Sequence, residues 1–201
     1  MPIFFQQQIN ESTRLGIWKI EETEQYFLGN VPLHRNVTHP HKRLQHLAGR
    51  FLLQFLYPGF PFELIRIAET RKPFLPEEEY HFSISHCGDF AAALVSTKHR
   101  VGVDIEIPVE KIERIKYKFL GVAEQEEWPD ADRQTITLLW SSKEAVFKWY
   151  GKGAVEFREH ILLSHQDHAS QTIDCSFIKE NTGLVVQYQL FDALVLAYVL
   201  T

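Results

Sequence analysis

Along residues 101–108, VGVDIEIP, the apolar residues Val101, Val103, Ile105 and Ile107 alternate with Gly102, Asp104, Glu106 and Pro108. This period of two predicts a strand with one apolar and one polar face, and it puts both carboxylates on the polar side. Residues two apart on a strand face lie roughly 7 Å from each other. Two like charges at that spacing repel unless water or a cation lies between them. Two more strand-like runs, FSIS and FAAALVS, come before this one, with HCGD and TKHR as connections. Such short connections predict an antiparallel meander that brings Ser85 and His86 toward Glu106.

Elsewhere the period changes. RLGIWKI (14–20) reads as an early strand and EETEQYF as a short acidic helical stretch. In KRLQHLAGRFLLQFL (42–56), Leu44, Leu47, Ala48, Phe51, Leu52 and Phe55 recur at helical spacing, with Pro40 near the start where its missing N–H does no harm. Arg43, His46 and Arg50 fall within about 60° of one another at 100° per residue and form a basic stripe beside that apolar face. A solvated flank explains the stripe as simply as a ligand site does.

A second long helix, TITLLWSSKEAVFKWY (135–150), stops at GKG. Glu144 and Lys148, four apart, point the same way and read as a surface ion pair or as part of a site. FLGVAEQEEW is helical, whereas VVQYQLF and ALVLAYVL read as strands, so the fold class is α+β. FAAALVS and ALVLAYV hint at an internal repeat but are too short to establish one.

Composition narrows the function. A chain of 201 residues fits one domain or two small halves, and 45% hydrophobic residues suffice for a core. A net charge of −5 argues against nucleic acid as the main partner. Cys87 and Cys175 make no disulfide framework or zinc knuckle, and a reduced, cytoplasmic setting is expected. MPIFFQQQINES lacks the features of a leader, and no apolar run is long enough to span a membrane.

Acidic residues with neighbouring lysines suit magnesium and phosphate chemistry, because Mg²⁺ takes a few carboxylate oxygens and completes its shell with water and substrate phosphate. There is no G-x-S-x-G elbow, P-loop or dinucleotide fingerprint. His86 and Cys87 are adjacent and point apart on an extended chain, so they make a poor catalytic pair. His160, His165 and His168 match no metal-ligand spacing and read as a wet loop.

RKP (71–73), FSISHCG (82–88), GVDIE (102–106) and WSSKEAVFKWYGKG (140–153) occur in an order and spacing that resembles the 4′-phosphopantetheinyl transferase superfamily, in its longer, surfactin-synthetase-activating type. The resemblance implies transfer of the phosphopantetheine arm of coenzyme A to a serine of an apo acyl or peptidyl carrier protein, with release of adenosine 3′,5′-bisphosphate. It implies two similar α+β halves, residues 1–100 and 101–201, packed as a pseudo-dimer with the active site in the cleft between them. Mg²⁺, or Mn²⁺, would be held by Asp104, Glu106 and Glu144.

By the same resemblance Glu144 is also a candidate base, and Lys148 lies beside the pyrophosphate. Arg50, Lys72, Pro73, Ser85, His86 and Lys143 join Lys148 in the expected coenzyme A set, and Arg43 is added by its place on the same basic stripe as Arg50. Arg71 stands where a G-K-P pattern often has glycine, and Cys87 replaces a small hydroxyl residue. A monomer is expected, with no nucleic acid or membrane partner. A Mg²⁺-dependent nucleotide phosphodiesterase and a non-catalytic coenzyme A or carrier-protein binding module are the alternatives.

Overall fold

The computed structural model describes residues 3–32 and 37–201. The chain divides into two compact units, Met1–Val101 and Gly102–Thr201. In the first, β1 (Ile3–Asn10), β2 (Thr13–Lys19), β5 (His81–Cys87) and β6 (Phe90–Ser96) form an antiparallel sheet in the order β1-β2-β6-β5. A short helix α1 (Glu24–Leu28), a long helix α2 (Pro40–Leu56) and a two-residue hairpin of β3 (Arg66–Ile67) and β4 (Pro73–Phe74) complete it.

Helix α2 begins at Pro40, where the first-turn N–H groups have no helical partner in any case. Its apolar face, including Leu47, Ala48 and Leu52, is buried in one core with Trp18, Phe82, Ala91 and Ala93. Gly49 allows a close approach, for a Cβ there would stand 2.6 Å from the Ile84 side chain. The even-numbered positions of β5 therefore face α2.

The second unit contains β7 (Val101–Glu106), α3 (Lys111–Ile115), α4 (Val122–Glu127), α5 (Arg133–Tyr150) and α6 (Phe157–His160). Four strands follow, β8 (Ile161–Asp167), β9 (Thr172–Phe177), β10 (Thr182–Leu190) and β11 (Val195–Leu200), in a sheet of order β7-β11-β10-β9-β8. Asp132 caps α5 by accepting from Thr135 N at 2.8 Å, and Gly151 ends it in the left-handed region at φ 71°. Leu138, Leu139, Val146 and Trp149 of α5 share a core with Ile173, Val186, Val195 and Ala197 of the sheet. No helix among the described residues is long and apolar enough to cross a membrane.

Three expectations change. The meander ends after two strands, because both hydrogen-bonding edges of β6 are taken by β2 and β5, and β7 pairs with β11 instead. At the exit from β6, Thr97 N donates to Ser12 O, and Lys98 N and His99 N donate to Ser96 Oγ, folding the connection back on its own unit. Ser85 and His86 therefore share no meander with Glu106. Residues 3–10 form a strand that the run of glutamines concealed, and His165 lies within β8 rather than in a loop.

Candidate active site

The polar side of β7 lies against helix α5. A Cβ on Gly102 would stand 2.0 Å from Ala145 O and 2.6 Å from Trp149 N, so strand and helix backbones touch at this glycine. Two residues on, Asp104 is only 3% exposed. Its Oδ2 accepts from Ser141 Oγ at 2.9 Å and its Oδ1 from Lys148 Nζ at 2.7 Å. At the strand end Glu106 accepts from Trp140 Nε1 at 3.3 Å. The helix partners fall in number as the strand positions rise, so the two elements run in opposite directions. The alternation read in VGVDIEIP holds, yet its polar side is covered: every residue of β7 except Glu106 is buried.

Glu144, half-buried on α5, completes an acidic neighbourhood. Burial and then the Asp104 charge push its carboxyl up to about 7, Glu106 adds to the rise, and Lys148 opposes it. Among the described residues no three His, Cys, Asp or Glu side chains stand arranged to hold a metal ion. The donor chemistry nevertheless suits a hard cation. All the donors are carboxylate oxygens, and a carboxyl raised by two acidic neighbours is relieved by added positive charge.

Lys143 departs from expectation. It is fully buried, paired with Glu124 at 2.6 Å, and donates to Phe157 O at 2.9 Å and Ile161 O at 2.6 Å. With an ammonium group that carries three donors, it has no N–H to offer coenzyme A. Glu124 in turn accepts from Gly121 N at 2.7 Å and Leu163 N at 3.0 Å. Lys143 is thus the centre of a buried polar knot joining α4, α5, α6 and β8, and it leaves the ligand set.

The remaining candidates lie in the first unit. Arg43 makes a two-pronged pair with Glu24, each bond 2.8 Å, and also donates to Val37 O, so its guanidinium is already engaged. Arg50 is 4% exposed; its Nε donates to His46 Nε2 at 3.0 Å, and its NH1 has no hydrogen-bond partner among the described residues. A buried cationic nitrogen without an acceptor suits an incoming anion.

Burial, and then the Arg100 charge, bring the Lys72 ammonium down to about 8. The neighbouring Pro73 opens β4 opposite Ile67. Arg71 adopts φ 67° in the turn closed by Ala68 N to Lys72 O at 2.9 Å, a conformation that costs a residue with a side chain roughly 1–2 kcal/mol. Ser85 is buried and His86 exposed, on opposite sides of β5.

The structure therefore brings Asp104, Glu106, Glu144 and Lys148 together within one unit. Ser141 and Trp140 belong beside them, and nothing in the WSSKE run singles them out: both carry a donor group wherever they lie, and the choice of acceptor is a tertiary matter.

Residues 100–199 match the model of the 4′-phosphopantetheinyl transferase superfamily. The chain is 32% identical over 152 residues to 4′-phosphopantetheinyl transferase AcpT of Escherichia coli O157:H7, covering 72% of this chain and 75% of that one. It is 34% identical over 113 residues to enterobactin synthase component D of Escherichia coli (strain K12), covering 53% and 54% respectively. It is also 34% identical over 92 residues to a 4′-phosphopantetheinyl transferase of Bacillus subtilis, covering 43% and 41%. The chain spans about half the length, 54%, of the enterobactin component it matches. This protein belongs to the 4′-phosphopantetheinyl transferase superfamily.

Proposed function

We propose that the protein transfers the 4′-phosphopantetheine arm of coenzyme A to a serine hydroxyl of an apo acyl or peptidyl carrier protein, releasing adenosine 3′,5′-bisphosphate. The observation that carries this reading is the grouping of Asp104, Glu106, Glu144 and Lys148 where β7 meets α5. Mg²⁺, or Mn²⁺, held by Asp104, Glu106 and Glu144, would neutralise charge on the pyrophosphate. Glu144 accepts the proton of the attacking serine, a role open to a carboxylate that reaches both the cation and the hydroxyl. Lys148, already beside Asp104, neutralises phosphate oxygens as the bond to adenosine bisphosphate breaks.

In this reading Arg50, Lys72, Pro73 and His86 bind the nucleotide end of coenzyme A, with Ser85 beside them. Arg43 takes part only by exchanging Glu24 for phosphate. The two units correspond to the paired halves of the longer family type, and the enzyme works as a cytoplasmic monomer. The test is product release. Coenzyme A, Mg²⁺ and an apo-carrier yield adenosine 3′,5′-bisphosphate together with a carrier heavier by the phosphopantetheine arm. Release of that nucleotide without carrier would instead identify a hydrolase.

A further inference from the structure

Resting on the transferase reading, we infer that Ser141 is a positioning residue that holds Asp104 in the orientation needed for the cation. The side chain is fully buried, and its hydroxyl donates to Asp104 Oδ2 at 2.9 Å. Lys148 engages the other oxygen, Oδ1, at 2.7 Å. Lys148 grips the carboxylate through a long, flexible side chain, whereas the serine reaches it through a short one. The serine sits on the rigid middle of α5, one turn before Glu144, and pins the carboxylate plane to the same helix that carries Glu144. It therefore fixes one acidic oxygen relative to another across two elements, which is what outer hydrogen bonds do for metal-binding carboxylates.

The neighbouring Ser142 supplies an internal control. It is equally buried on α5, but its hydroxyl has no hydrogen-bond partner among the described residues. Losing a buried hydroxyl from this helix can thus be separated from losing the bond to Asp104.

The experiment measures Mn²⁺ binding by the full chain from the free-ion electron paramagnetic resonance signal, with coenzyme A present and no carrier, alongside the melting temperature. Ser141→Ala is expected to weaken Mn²⁺ binding roughly 10-fold or more, the usual scale for an outer hydrogen bond to a metal ligand. Its melting temperature should stay within a few degrees of the parent. Ser142→Ala should bind Mn²⁺ like the parent, and Ser141→Thr, which keeps the hydroxyl, should recover most of the affinity. Equal Mn²⁺ affinity in Ser141→Ala and the parent overturns the positioning role, as does equal weakening by Ser142→Ala, or a parent that takes up no Mn²⁺. A parent that binds Mn²⁺ but modifies no carrier sinks the transferase reading instead, and the Ser141 comparison still stands.

Discussion

Gly102 and Ala145 stand so close that a side-chain carbon on the glycine would lie 2.0 Å from the alanine carbonyl oxygen. That approach lets β7 lie directly on the α5 backbone and puts Asp104 within reach of both Ser141 and Lys148. Since the obstacle is backbone rather than a flexible side chain, Gly102→Ala must push strand and helix apart. We expect a loss of about 3 kcal/mol or more of unfolding free energy, at or beyond the upper range for overpacking, and loss of the Asp104 contacts. Urea unfolding checks it, and a variant with parental stability would show that the two elements separate easily.

The buried knot around Lys143 predicts a stability defect and not a binding defect. Lys143→Met leaves Glu124 buried without its counter-ion, a change that costs about 3–5 kcal/mol. Among molecules that remain folded, the KM for coenzyme A should be nearly unchanged. Denaturant titration and steady-state kinetics decide it; unchanged stability with a raised KM would return Lys143 to the ligand set.

Lys72 predicts a pH dependence. Its ammonium titrates at about 8, below the ordinary lysine value of 10.5, because burial and Arg100 disfavour the charge. The folded state is therefore penalised below about 8, and the penalty is relieved as pH rises from there toward 10.5. Anion binding runs the opposite way, since the charged form that attracts phosphate is lost as pH rises through about 8. The KM for coenzyme A should climb between pH 7 and 9, about threefold or more for loss of one charge-assisted contact. Lys72→Arg should flatten that profile; an identical rise in the arginine variant would assign it to another group.

Glu144 separates two roles in a single titration. Glu144→Gln keeps an acceptor oxygen and loses both charge and basicity. If the residue serves only to hold the cation, high Mg²⁺ restores the rate. If it also accepts the serine proton, the rate at saturating Mg²⁺ stays lower by about 10²-fold or more, and this is the expected outcome. Recovery to near the parental rate would remove the base role.

Much of the site was legible because its residues carry local signals. Asp104 and Glu106 stand out by strand alternation, Glu144 and Lys148 by helical spacing, and the long helices by apolar periodicity together with Pro40 and the GKG exit. Lys143 shows where this legibility stops. In the sequence it is a lysine beside a candidate glutamate, indistinguishable from a solvent-facing one, and its burial depends on Glu124, Phe157 and Ile161, which reach it only through folding.

What the sequence determined by itself is whatever neighbours along the chain decide: the periodicities of α2, α5 and β7, and the motif residues that mark the family. Tertiary structure alone decided which strands pair, because β6 has two edges and β2, far away in the chain, claims one of them. It alone decided that the polar side of VGVDIEIP would be covered by a helix rather than wetted, because that depends on backbones meeting at Gly102. Ser141 falls on the same side of this divide: a serine in a helix carries a donor wherever it lies, and only the packing of α5 on β7 gives that donor Asp104 to hold.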